Sequence, residues 1–456
     1  MTNTRLYLLL LSALIALQVS LPAQQIPGVQ AVQRMSMRLP GVPTIRNYSP
    51  ARYQAHGQNF GVAQDKRGLV YFANTSGVLE HDGATWRTIP TSGNSIVRSV
   101  VCDSTGRIYV GARGEFGYLA PDSTGATTFI SLLHKVEKKD QDFLDVWRVF
   151  ANRDGIWFIT NSSVFHWHKN KITAIPANKE ILASYSVGGR IILQERNFEL
   201  FEIVNDQFRK LPSADITAKS MEVVALLPVN AAQALLVTAN NGLYYYDYQR
   251  LTPFQTDASA LIQANRLSEA AFLSDGSLAL GTTRNGAIIL ERSGNLLTVI
   301  NKAAGMQDEN IKSLFTDRQS GLWLALNNGI SRVELPTTLT FMTESKAPQG
   351  GVTDCKRHDG LLYFATYEGL YTLNEQSGVF SPVSGISTTC WSILSTPKGL
   401  LAATSEGVYV VDKQAARKLT QGFSFILCAS KIHPTIVYAG EKNSLSVLKL
   451  GAAGWA

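Results

Sequence analysis

One short unit recurs along this chain and limits what it can fold into. Its fullest copy is Asp317-Arg-Gln-Ser-Gly321, then Leu322-Trp-Leu-Ala-Leu326, Asn327-Asn-Gly329 and Ile330-Ser-Arg-Val-Glu334. Asp317 to Gly321 reads as a polar turn whose closing glycine can take φ > 0. Leu322–Leu326 is a short apolar strand. Asn327-Asn-Gly329 is a tight hairpin that needs left-handed residues. Ile330–Glu334 alternates apolar and polar, as a half-buried strand does. Further copies start at Asp65, Asp103, Asp154, Gly189, Ala234, Asp275, Asp359, Lys398 and Thr435, which makes ten. The spacing is roughly 40 residues, the period of a four-stranded propeller blade.

The second unit shows a whole blade. Ser95–Cys102, Arg107–Val110, Glu115–Leu119 and Thr127–Ile130 read as four successive strands. A four-stranded meander repeated about an axis is a propeller. Period-two patterning excludes a helical solenoid, and turns recurring in one order argue against a single large sandwich. The fold expected is all-β. A seven-bladed β-propeller of four-stranded blades covers 48–337, and an incomplete second propeller of about three blades covers 338–456. Three blades cannot close a ring, so the second should form an open arc. Helical signal is sparse: Asn178–Ser184 and Asp257–Gln263 could each hold a turn or two.

Residues 1–23 read as a secretory signal peptide, with Arg5 as the positive flank and an apolar run from Leu6 to Val19. That run is short of the ~20 residues that span a bilayer. Residues 24–47 carry Pro27, Pro40 and Pro43 without strand alternation and read as a leader, with order starting near Tyr48. The mature chain is therefore expected in the periplasm or otherwise exported. Its formal net charge of +7 is spread along the chain, and the one basic run, Lys135–Lys139, includes Glu137. With export, this argues against nucleic acid and leaves an anionic ligand or envelope surface open. Cys102, Cys355, Cys390 and Cys428 form no CxxC pair. They read as small buried residues of first strands, with no disulfide demanded.

The repeat Asp-x-x-Gly-Leu-Trp-x-Ala-x-x-x-Gly-Ile resembles the two-component regulator propeller family. So do Gln58–Asp65, Tyr71-Phe-Ala-Asn74, Asp82-Gly-Ala-Thr-Trp-Arg87, Gly106–Gly111 and Glu115–Leu119. The resemblance covers nearly all of the mature chain. It implies an exported sensor region of histidine kinases, hybrid two-component receptors and related signalling proteins. It also implies no catalysis, no cofactor and a dimer as in related receptors. Such receptors usually carry two seven-bladed rings, a further β-domain, a membrane helix and an output domain. This chain would be their N-terminal sensor part without its own signalling domain, touching a membrane only through a missing C-terminal part or a partner receptor.

Propellers bind near the axis, where the first strands begin. Eight residues before each turn glycine the chain places Phe60, Arg98, Trp147, Ser268 and Trp391, and Lys312 joins them if its turn is one residue longer. Arg98, Trp147, Ser268, Lys312 and Trp391 are the candidate ligand-binding residues, suited by charge and aromatic surface to a small molecule or oligosaccharide. The same residues could instead fill and solvate an inert channel, or contact the second ring. Trp86, Trp157 and Trp323 hold repeat positions and should pack blade on blade. His134, His166 and His168 lack a metal-ligand spacing. The competing class is a secreted propeller enzyme, a polysaccharide lyase or glycosidase. The Asp317 turn lacks the spacing of a sialidase Asp box, Thr105-Gly-Arg-Ile-Tyr109 lacks the tryptophan of a quinoprotein blade, and no carboxylate pair stands out.

Overall fold

The computed structural model describes residues 41–455 except 338, 343–346, 376–377 and 453. The segment read as a signal peptide and most of the segment read as a leader lie outside the described residues. Ten four-stranded antiparallel sheets are present among them. Six run in sequence order, strand beside next strand, at 59–89, 97–131, 148–176, 181–210, 223–253 and 267–300. The seventh takes three strands, Ile311–Thr316, Gly321–Leu326 and Ile330–Glu334, and completes itself with Ile45–Tyr48 from the start of the chain. Three more sheets follow at 352–382, 390–418 and 424–455. We refer to these as blades 1 to 10.

The repeat aspartates explain the turns. Asp317 Oδ1 accepts from the backbone N–H of Gln319 (2.9 Å) and Gly321 (2.7 Å). Asp65 does the same for Arg67 and Leu69, and Asp103 for Thr105 and Arg107. The carboxylate thus replaces backbone partners at the corner between two strands. Asp317 Oδ2 also accepts from Trp323 Nε1 and Arg332 Nε, both at 2.9 Å, which ties the turn to the second and third strands. One expectation changes here. The left-handed residue of this turn is Ser320 (φ 66), not Gly321. Gly321 is glycine for space: a Cβ there would lie 2.2 Å from the Arg332 guanidinium. Gly329 does take φ 98, as its hairpin requires.

Facing blades bury apolar residues against one another, so the core is a succession of interfaces. Trp157 packs between blades 3 and 4 with Ile159, Ile181 and Ile191. Trp86 and Trp323 meet at the seam between blades 1 and 7, with Tyr48, Tyr53, Phe72 and Ile330. The seam closes the ring. Tyr48 stacks on Trp323 at 5.7 Å and Phe72 meets the same indole edge-on. Gln307 Nε2 donates to the carbonyls of Tyr48 (3.1 Å) and Ile330 (2.6 Å), and Asn59 Nδ2 donates to that of Gly329 (3.0 Å).

Three readings of the sequence need correction. Ile45–Tyr48 is a strand of blade 7 rather than leader, paired in register from Ile45↔Val333 to Tyr48↔Ile330. Asn178–Ser184 leads into the strand Ile181–Val187, not a helix, because Ile181 and Tyr185 are claimed by the inter-blade cores. A helical turn does form at Ser259–Ala264, and another, unforeseen, at Ala214–Ala218. All four cysteines are free, but only Cys390 is buried; Cys355 and Cys428 are exposed. Cys428 pairs with Tyr438 on the face of blade 10 opposite Val437 and Ala439, which pack on blade 9. The exposed Ile426, Leu445 and Val447 share that face.

Candidate functional site

The first strand of most blades carries a β-bulge near its start. Register shifts fall between Asn59 and Gly61, Val97 and Ser99, Ile181 and Ala183, Val223 and Ala225, Leu267 and Glu269, and Ile311 and Ser313. The residue inside each shift is Phe60, Arg98, Leu182, Val224, Ser268 or Lys312. A bulged residue is left out of the ladder and its side chain is re-aimed. Here it is aimed at the axis. Blade 3 reaches the same place with Trp147, whose N–H bonds to the Ile159 carbonyl just before its first strand begins. All seven side chains line one cavity of about 260 Å³ at a mouth of the axial channel.

Of the expected residues, Arg98, Trp147, Ser268 and Lys312 are thus brought together, and Trp391 is not. It lies in the bulge of blade 9, between Cys390 and Ser392, and packs against Tyr367 and Phe423. Pooling it with the others mixed two axes. Leu182 and Val224 complete the first-ring column and were missed. Counting back from a turn glycine fails in blades 4 and 5, where the turn is shorter or contains no glycine. Locating the bulge finds both.

The charges in the cup are mostly spoken for. The Arg98 guanidinium sits over the rings of Phe60 (4.5 Å) and Trp147 (4.7 Å), and its Nε donates to Asp145 at 2.8 Å. Both partners of that pair are only 14% exposed, so Arg98 staples blades 1, 2 and 3 rather than standing free in the channel. Arg148 reaches across the ring from blade 3 to Glu269 of blade 6, at 2.7 Å. Arg148 also lines a second cavity of about 240 Å³ together with Glu269, Ser99 and Ser313. The transverse ion pair therefore stands between the two halves of the channel. Glu222 pairs with Arg266 at 2.5 Å. Lys312 is half-buried and has no hydrogen bond or ion pair among the described residues. Trp147 is 43% exposed, with Nε1 held by Asn161 Oδ1 at 2.6 Å. The fully buried Tyr185 hydroxyl donates to the Val223 carbonyl, and burial holds it well above the usual phenol range, so this wall is neutral.

The histidines sit away from this cup. His166 stacks on Trp157 at 3.6 Å, with Nδ1 2.7 Å from Asp206 and Nε2 2.9 Å from the Asp154 carbonyl. His168 lies beside it on the same strand face.

No family model and no curated protein matches the sequence. Among solved structures, the chain is similar to the extracellular domain of a protein described as a hybrid two component system from B. thetaiotaomicron. The TM-score is 0.65 at 14% identity, over 91% of this chain and 60% of that one. A second extracellular domain of the same description and organism gives 0.50 at 15% identity, over 90% of this chain and 66% of that one. Virginiamycin B lyase from Staphylococcus aureus gives 0.50 at 13% identity, over 64% of this chain and 99% of that one. At these identities the likeness establishes the propeller fold. The chain spans 60% of the length of the first of these structures.

Proposed function

We propose that this chain is the exported sensing region of a two-component-type receptor, and that its first ring recognises a small molecule or the end of an oligosaccharide at the cup. The observation that carries this reading is the convergence of seven bulged or strand-leading side chains, one per blade, on one cavity. The residues just before them, such as Val97, Val146, Leu267 and Ile311, are fully buried core. The column itself mixes aromatic, aliphatic, hydroxyl and cationic groups, a wall suited to one shape and charge pattern. The neighbours that span most of this chain are extracellular domains of proteins described as hybrid two component systems, which supports a sensor role.

The enzyme alternative has less support. A glycosidase needs one carboxylate to act as acid and a second as nucleophile or base. Glu222, the one carboxylate lining the cup, and the nearby Asp145 and Glu269 are all held in ion pairs with arginines. The virginiamycin B lyase matches over only 64% of this chain. The deciding experiment is a calorimetric screen of saccharides and organic acids against the full chain and Trp147→Ala, with polysaccharide turnover followed in parallel. A ligand whose affinity falls at least about tenfold in the variant, with no turnover, is the expected result. Turnover abolished by substituting a single carboxylate would overturn the reading.

A further inference from the structure

The cup holds an electrostatic imbalance that points to its ligand. Arg98 faces Asp145, Arg148 faces Glu269 and Glu222 faces Arg266, so these six charges cancel locally. Lys312 is the remaining charged side chain lining the cup, and no opposite charge lies within ion-pair range of it among the described residues. The Lys312 ammonium thus has no counter-charge supplied by the fold and is available to a ligand. Nothing in the fold demands a lysine there: the corresponding bulge holds Phe60 in blade 1, Leu182 in blade 4 and Val224 in blade 5.

Three further features fix the rest of the ligand. Trp147 comes from blade 3, across the ring from Lys312 in blade 7, and keeps an exposed indole surface. Ser184 lines the cup with a hydroxyl that has no hydrogen bond among the described residues. The volume of about 260 Å³ lies below the roughly 300–1,000 Å³ of sites for drug-sized ligands, so the part of a ligand that enters the cup is about one ring.

We infer that the cup takes a ligand with one carboxylate carried on a single ring, the carboxylate meeting Lys312 and the ring lying against Trp147. This rests on the cup being the sensing site. The ammonium supplies a charge-assisted hydrogen bond in a walled cavity, where it is stronger than in water. The ligand brings the counter-charge that the fold withholds, so empty and filled states differ in local electrostatics as well as in contacts. A sugar acid and an aromatic acid share this chemistry.

The test uses D-glucuronate and benzoate, with D-glucose and benzyl alcohol as neutral counterparts, titrated by calorimetry into the full chain. At least one carboxylate should bind, at least about tenfold more tightly than its neutral counterpart. Lys312→Met should remove that preference, and Lys312→Arg should keep it within a few-fold. The first acid to bind identifies the ring type. The inference fails if neither acid binds, if the neutral probes bind as well as the acids, or if Lys312→Met leaves the preference intact. A neutral sugar that binds and is lost in Trp147→Ala would refute the carboxylate and leave the sensing cup standing; turnover would refute the sensing reading itself.

Discussion

Replacing Gly329 by valine should open the ring at its seam. Two costs add. The backbone at φ 98 is a conformation that a β-branched residue adopts only under strain, about 1–3 kcal/mol. A Cβ at this position would also lie 2.5 Å from Gln307 Nε2 and 2.6 Å from its Cδ. The Gln307 side chain must then leave, and its bonds to the Tyr48 and Ile330 carbonyls go with it. At about 0.5–1.5 kcal/mol each, those two bonds add roughly 1–3 kcal/mol. The total expected is about 2–6 kcal/mol, read as a lowered urea midpoint by tryptophan fluorescence and circular dichroism. A double-mutant cycle separates the parts. In a Gln307→Ala background the valine should cost the strain alone, leaving a coupling of about 1–3 kcal/mol. Equal costs in both backgrounds would show that the glutamine does not occupy that space, and an unchanged midpoint would refute the left-handed turn.

Three other perturbations follow from the same geometry. Asp317→Asn should destabilise by roughly 1.5–3 kcal/mol in urea unfolding, since it weakens the charge-assisted bond to Arg332 and leaves it only the longer contact to Glu334 at 3.6 Å; an unchanged midpoint would contradict the role given to this corner. His81 is buried against Trp86 and donates Nδ1–H to the Thr85 carbonyl; burial pushes its pKa down despite that bond and the nearby Asp82. The unfolded chain therefore takes up the proton first as pH falls through about 6.5, and stability drops below that pH. Thermal unfolding at pH 7.5 and 5.5 should show a smaller pH effect in His81→Gln than in the parent. Finally, Arg148→Met and Glu269→Gln should be non-additive by at least about 0.5 kcal/mol, as expected for a pair in contact across the channel, whereas additivity would mean the two side chains do not meet.

The repeat made the blades legible because each is a local object. Its Asp-turn, two central strands and hairpin glycine lie within about 20 residues, and the same pattern dictates every copy. The axial column was legible for the same reason, wherever the turn had the standard length. What escaped was everything that joins distant pieces. Ile45-Arg-Asn-Tyr48 shows two exposed residues between half-buried Ile45 and buried Tyr48, too short a pattern to read as a strand, and its partner strand is far along the chain. Arg98 looked like a free cation because Asp145, its partner, comes from an irregular stretch outside the repeat pattern. The Arg148–Glu269 pair joins blades 3 and 6, which no local pattern relates. Cys355 and Cys428 looked buried because first strands usually have a blade on either side; the faces they occupy do not.

The strand Ile45–Tyr48 also sets a schedule. It is made early on the ribosome, yet its partner Ile330–Glu334 appears only after about 290 further residues, roughly 15–60 s later at typical elongation rates. Throughout that interval blades 1 to 6 can form in order, each on the one before, while the opening segment waits unpaired. The last step in building the first ring joins its oldest residues to its newest. Within the first ring the most separated strand pairing is thus also the last to form, and a chain released before residue 334 has every ingredient of a propeller except the means to shut it.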